Sequence, residues 1–198
     1  MTPSGKTILE EWPSVAIPPP PAWEPVSLPA KGTALLVLDL QNQNCSLERR
    51  PRCVATLQGV AHLLDQARTM GATVIYSLTR GASREDVRPE IAPLPSEPAV
   101  ASGVDKFYNT QLEALLRERG IETVIIVGTS AHGAVLHTAT AAALRGFRVV
   151  VPVDGMSAED PFAELYTAWH LANAPGTRGR VTLTKLAAIR FIETEEGS

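Results

Sequence analysis

From Thr33 onward, short apolar runs alternate with amphipathic helical patterns, and this alternation restricts the fold more than any other feature of the chain. Residues 34–38, Ala-Leu-Leu-Val-Leu, form a continuous apolar run of the kind a strand buried on both faces requires. Leu57, Val60, Ala61, Leu64 and Ala67 recur at helical spacing, and Gly71 closes that helix. Residues 73–78 read as the next strand. Leu112, Leu115 and Leu116 mark a helix that Gly120 stops, and residues 122–127 read as a third strand. Val135, Ala139, Ala142 and Ala143 mark a helix ended by Gly146, before a fourth strand over 148–153. Residues 160–172 read as helix and 180–184 as a last strand. Residues 80–103, with prolines at 89, 93, 95 and 98, read as irregular. Parallel neighbours need crossover connections, so the expected fold is α/β: a doubly wound, mostly parallel sheet with helices on both faces.

Residues 1–32 differ in composition. They hold eight of the sixteen prolines, including Pro18 to Pro21, with Trp12 and Trp23 among them. Such a segment is too rich in proline for helix and is expected to run extended. It reads as an arm whose tryptophans pack on the domain or on a neighbouring subunit, because tryptophan is costly to leave in water. The expected division is therefore an arm over 1–32 and a single domain over 33–198.

The 198 residues suffice for one sizeable core, and 44% hydrophobic with 20% charged residues fits a globular protein. Net charge is −3 and no long basic run occurs, which argues against a nucleic-acid partner. No apolar stretch reaches the length of a membrane span. The start, Met-Thr-Pro-Ser-Gly-Lys, lacks the apolar core of a signal peptide, so a cytoplasmic location is expected. Cys45 and Cys53 lie in one polar segment, without a CxxC pattern or a histidine close in sequence; they are expected as free thiols, and no metal is expected.

Ligands of such folds bind beyond the carboxyl ends of the strands. Three segments lie there: 39–42, 77–80 and 128–134. Asp39 ends the first strand directly after its apolar run, where partial desolvation favours the protonated carboxyl and suits acid or base work. Lys106 precedes a helix; near a carboxylate it would hold Asp39 ionised or stabilise developing negative charge. Its neighbours Phe107 and Tyr108 suggest a pocket wall. Of four histidines, His132 alone falls in a strand-end turn. Ser130 lies in the same turn, but the pattern is not G-x-S-x-G, and no Gly-rich phosphate motif occurs. A strand-to-helix turn is where α/β enzymes place a nucleophile, and position 134 in that turn is alanine.

These stretches (34–42, Asp105-Lys106-Phe107 with Thr110 and Leu112, Gly120-Ile121, and the turn over 127–138) resemble the isochorismatase-like hydrolases, or cysteine hydrolase superfamily. The resemblance covers roughly residues 33–191 and implies a Rossmann-like three-layer sandwich, a small-molecule substrate, no cofactor, and a homo-oligomer, dimer or tetramer. In the amidohydrolases of that family an Asp, a Lys and a Cys act together. Carried over, these positions are Asp39, Lys106 and Ala134. The resemblance also implies a non-proline cis peptide between Thr129 and Ser130, aiming the Ser130 and Ala134 amides at an oxyanion. Isochorismatases proper also lack the Cys, and Ala131-His132 matches their Ala-His, with Arg88 at a substrate-binding arginine. Their glutamine and tyrosine fall on Thr79 and Ser130, where this chain departs. Family members that bind zinc use an Asp-x-His pair that is absent from 77–84.

Three readings stay open from sequence: a hydrolase working through Asp39 and Lys106 without the thiolate, a non-catalytic relative that binds a small molecule or partner, and an engineered Cys-to-Ala amidohydrolase. Arg80, Arg88, Phe107, Tyr108 and His132 are candidates for substrate contact, and Trp169 is one only if its helix borders the pocket.

Overall fold

The computed structural model describes residues 5–193. Within them, one one-turn helix and four longer ones surround nine strands. The strands are β1 (Val26–Pro29), β2 (Thr33–Leu38), β3 (Thr73–Thr79), β4 (Ala99–Ser102), β5 (Thr123–Thr129), β6 (Arg148–Pro152), β7 (Met156–Ser157), β8 (Val181–Thr184) and β9 (Ile189–Ile192). The helices are α1 (Ile8–Glu11), α2 (Pro51–Thr69), α3 (Leu112–Glu118), α4 (Leu136–Leu144) and α5 (Pro161–Asn173).

The main sheet runs β4-β3-β2-β5-β6-β8, all parallel, with β7 paired to the end of β5. Successive side chains of a strand face opposite ways, and β2 divides accordingly. Ala34, Leu36 and Leu38 pack with Leu112, Leu116, Ala139 and Leu171 from α3, α4 and α5. Leu35 and Val37 pack with Leu57, Val60, Leu63 and Leu64 of α2. Helices thus cover both faces, and every residue of β2 and β5 is buried, as their apolar runs require.

The chain moves outward from β2 through β3 to β4, then returns to the opposite side of β2 with β5 and continues through β6 to β8. The strand order therefore reverses between β2 and β5, and a crevice opens beyond their carboxyl ends. Leu38 pairs with Gly128 at this point. Gly128 has φ +131°, and a Cβ there would overlap the Leu38 carbonyl, so glycine permits the close approach.

Three features depart from the sequence expectations. Residues 80–103 contain β4, a short edge strand of small residues that carries little periodic signal and depends on its ladder with β3. The proline-rich segment, expected to hold no helix, carries the one-turn α1 in its proline-free stretch before Pro13 and ends in β1, which pairs in parallel with β9. Earlier in that segment Trp12 is exposed, whereas Trp23 lies under the Lys185 ammonium at 4.2 Å. Finally, Cys45 and Cys53 are not free thiols. They form a buried disulfide, because the turn closed by the Arg50 amide on the Ser46 carbonyl brings their Cα atoms to 5.3 Å.

Candidate active site

Asp39 follows β2 directly and has φ +55°, a backbone conformation that aspartate tolerates better than most residues. Its amide donates to the Ser77 carbonyl at the end of β3. Both carboxyl oxygens are engaged. Ser77 Oγ donates to Oδ1 at 2.8 Å, and Lys106 Nζ donates to Oδ2 at 2.7 Å. The Lys106 side chain is wholly buried and also donates to the Gly103 carbonyl at 2.6 Å. Burial pushes the Asp39 carboxyl above its ordinary value, against the opposing pull of Lys106 and of the hydrogen bonds from Lys106 and Ser77. A carboxyl in that condition can hold a proton and release it inside a shielded site.

Across the switch point, the peptide between Thr129 and Ser130 is cis, as the resemblance implied. A π-helical turn, Ala131–Val135, then leads into α4. Thr129, Ser130 and Ala134 line the same cavity as Asp39. The cavity measures about 420 Å³ and is completed by Asn44, Arg49, Arg50, Thr79, Arg80, Ser102, Gly103 and Val104. The methyl of Ala134 sits where the strand-to-helix turn would present a nucleophile. No thiol is available elsewhere, since both cysteines are in the disulfide.

Isochorismatase-domain proteins match this chain over residues 33–182. The chain belongs to the isochorismatase family. Among its relatives, a streptothricin hydrolase of Streptomyces noursei is 33% identical over 138 residues, covering 64% of this chain and 50% of that protein. The chain thus spans about half the length of the streptothricin hydrolases it matches. An isochorismatase family protein from Desulfovibrio vulgaris subsp. vulgaris str. Hildenborough superposes with a TM-score of 0.69 at 22% identity, over 80% of this chain and 96% of that one. N-carbamoylsarcosine amidase from Thermoplasma acidophilum gives 0.65 at 24% identity, over 83% and 99%. These structures share the fold.

In this isochorismatase-family chain, the fold gathers only some of the residues singled out from sequence. Asp39, Arg80, Ser130 and Ala134 line the cavity, and Lys106 supports Asp39 from beneath. Phe107 does not form a pocket wall. It is buried in the core, its ring stacked 6.1 Å from that of Phe147 and capped by Arg145. Tyr108 is exposed and does not line the cavity. Arg88 pairs with Glu90 at 2.6 Å instead of lining the cavity. His132 lines a separate groove with His137, Phe162 and Tyr166, and Trp169 lines neither space. No group of three or more metal-ligating side chains occurs among the described residues.

The sequence reading did not single out Asn44, Arg49 or Arg50. Asn44 donates to the Asp39 carbonyl at 3.3 Å and to Gln41 Oε1 at 3.1 Å, which braces the strand end. Arg50 is buried and donates to Thr129 Oγ1 at 3.0 Å, so it spans from the β2 loop to the β5 end. A signal existed in sequence. Two consecutive arginines stand in the segment that follows Asp39, where a loop at a strand's carboxyl end meets ligand.

Proposed function

We propose that this chain hydrolyses a small organic substrate without a covalent intermediate, using Asp39 as proton donor or acceptor. The observation that carries this reading is the Asp39 carboxyl itself, held at 2.8 Å by Ser77 and 2.7 Å by Lys106 at the cavity wall, opposite an alanine. With no thiol to attack, water is the nucleophile. For a vinyl ether, Asp39 gives its proton to the substrate carbon, water adds at the carbon bearing oxygen and returns a proton to Asp39, and the hemiketal collapses to a carbonyl as the C–O bond to the leaving alcohol breaks. For an amide or ureide, Asp39 takes a proton from water as its oxygen joins the carbonyl carbon, then returns it to the leaving nitrogen. Lys106 would limit the charge change on Asp39 during either transfer. Backbone amides at Ser130 and Ala134 would receive the developing oxyanion. The hydrolytic activities named for the streptothricin hydrolase and the N-carbamoylsarcosine amidase support this class of chemistry.

A homo-oligomer fits the exposure of Leu144, Phe162, Tyr166 and Trp169 on α4 and α5. No described helix is long and apolar enough to cross a membrane. The Cys45–Cys53 disulfide weighs towards an oxidising compartment and against the cytoplasmic location expected from sequence. The test is turnover of a panel of amides, ureides and vinyl ethers by the chain and by Asp39→Asn, with folding checked by circular dichroism. Turnover that Asp39→Asn abolishes is expected. Absence of turnover leaves a binding protein instead, and turnover untouched by Asp39→Asn overturns the role given to Asp39.

A further inference from the structure

The cavity beside Asp39 is lined by three guanidinium groups and by no carboxylate other than Asp39. Lys106 pairs with Asp39 at 2.7 Å, so Arg49 and Arg80, with no acidic partner among the described residues, and Arg50, paired only with the exposed Glu159, leave the wall positive. The Arg80 side chain has no ion pair or hydrogen bond among the described residues. Arg49 donates only to neutral oxygens, the Gln43 carbonyl at 2.9 Å and Asn44 Oδ1 at 3.2 Å.

Arg50 is the most constrained of the three. Its residue is 8% exposed, yet its Nε–H has no acceptor among the described residues. A buried guanidinium N–H is costly to leave unmet. Its acidic partner, Glu159 at 3.2 Å, has a side chain 64% exposed, so that attraction is screened by solvent. Arg50 also directly precedes the 19-residue helix α2, which has no side-chain cap and no acid in its first turn.

We propose, building on the hydrolase reading above, that the substrate carries an oxyanion group, a carboxylate or a phosphate. Arg50 grips this group with Arg80 and Arg49 while the scissile bond lies at Asp39. A planar guanidinium presents paired N–H donors to two oxygens of one such group, and the unmet Nε–H of Arg50 supplies one of them. The cavity thereby discriminates charged from neutral substrates of the same size.

The test is titration calorimetry at low ionic strength with glutarate, inorganic phosphate and the neutral diamide glutaramide. Binding does not need turnover, so this outcome is separable from the hydrolase reading. Glutarate or phosphate is expected to bind at least tenfold more tightly than glutaramide, and whichever anion binds better identifies the oxyanion. Arg50→Met is expected to weaken that anion at least tenfold. Arg80→Gln is expected to weaken it severalfold, with the difference shrinking as salt rises. Arg80 and Arg49 are exposed, so Arg80→Gln and Arg49→Gln carry the test if Arg50→Met does not fold. Glutaramide binding as tightly as glutarate overturns the proposal. So does absence of anion binding, or anion binding unchanged in the arginine variants. Arginine-dependent anion binding without turnover of any substrate sinks the hydrolase reading alone.

Discussion

Lys106 Nζ lies 2.7 Å from Asp39 Oδ2, with the lysine side chain wholly buried and the two residues 67 positions apart in sequence. The contact joins the carboxyl end of β2 to the loop between β4 and α3, although β3 separates the two strands in the sheet. Removing one member of a buried pair leaves an uncompensated charge and costs on the order of 3–5 kcal/mol. Asp39→Asn should therefore lower kcat/KM by about 10²–10⁴-fold, the usual contribution of a positioned acid or base, and should also lower stability. Steady-state kinetics and urea unfolding of the same variant check both effects.

The pH dependence follows from the direction of the Asp39 shift. Its folded pKa lies above the ordinary value of 3.8, so the folded chain holds this proton to a higher pH than the unfolded chain does. The stability contributed by this group is fully present below the unfolded pKa and declines as pH rises through the folded one. If Asp39 works as the acid, kcat/KM falls through the same window. Lys106→Met removes the main lowering influence and should move that limb to higher pH. A limb that stays where it was would sink the assignment of Asp39 as the titrating group.

Ala134→Cys places a thiol on the strand-to-helix turn, beside the same cavity as Asp39. Amidase turnover should then appear or rise by orders of magnitude, with a mass adduct after iodoacetamide that forms more slowly in the Asp39→Asn background. An inert thiol at position 134 would show that the scaffold is not organised for nucleophilic attack.

Gly128→Ala should damage the fold at the switch point. The φ of +131° alone costs on the order of 1–3 kcal/mol for a residue with a Cβ. The new methyl would also meet the Leu38 carbonyl, one residue before Asp39. A melting temperature equal to that of the parent would contradict this close approach.

Reduction of Cys45–Cys53 should both loosen the chain and weaken substrate binding, because the crosslinked segment carries Arg49 and Arg50. A crosslink across so short a loop is worth about 2–3 kcal/mol. Intact-mass measurement without reductant should show the bond, and dithiothreitol should lower the melting temperature and raise KM more than it lowers kcat.

The layer order and the strands of the sheet centre were legible from residues 34–38, 73–78 and 122–127, because a strand buried on both faces must be apolar throughout. Asp39 was legible as the first polar residue after such a run, and the strand-to-helix turn with its Thr129–Ser130 cis peptide from its likeness to related chains. That information is local, carried by periodicity and by neighbours in the chain. What residues 107, 108 and 132 face is not local. Phe107 turned inward to Phe147, and His132 faced the α4–α5 side. The strand order that reverses between β2 and β5 decided this, and so did the turn that brings Cys45 to Cys53 and Arg50 to Thr129. By itself the sequence determined which segments must be buried and which residue ends the first strand. Only the tertiary structure decided which side chains share the cavity with Asp39, because sharing a cavity depends on strand order and loop path, which leave no periodic trace in the chain.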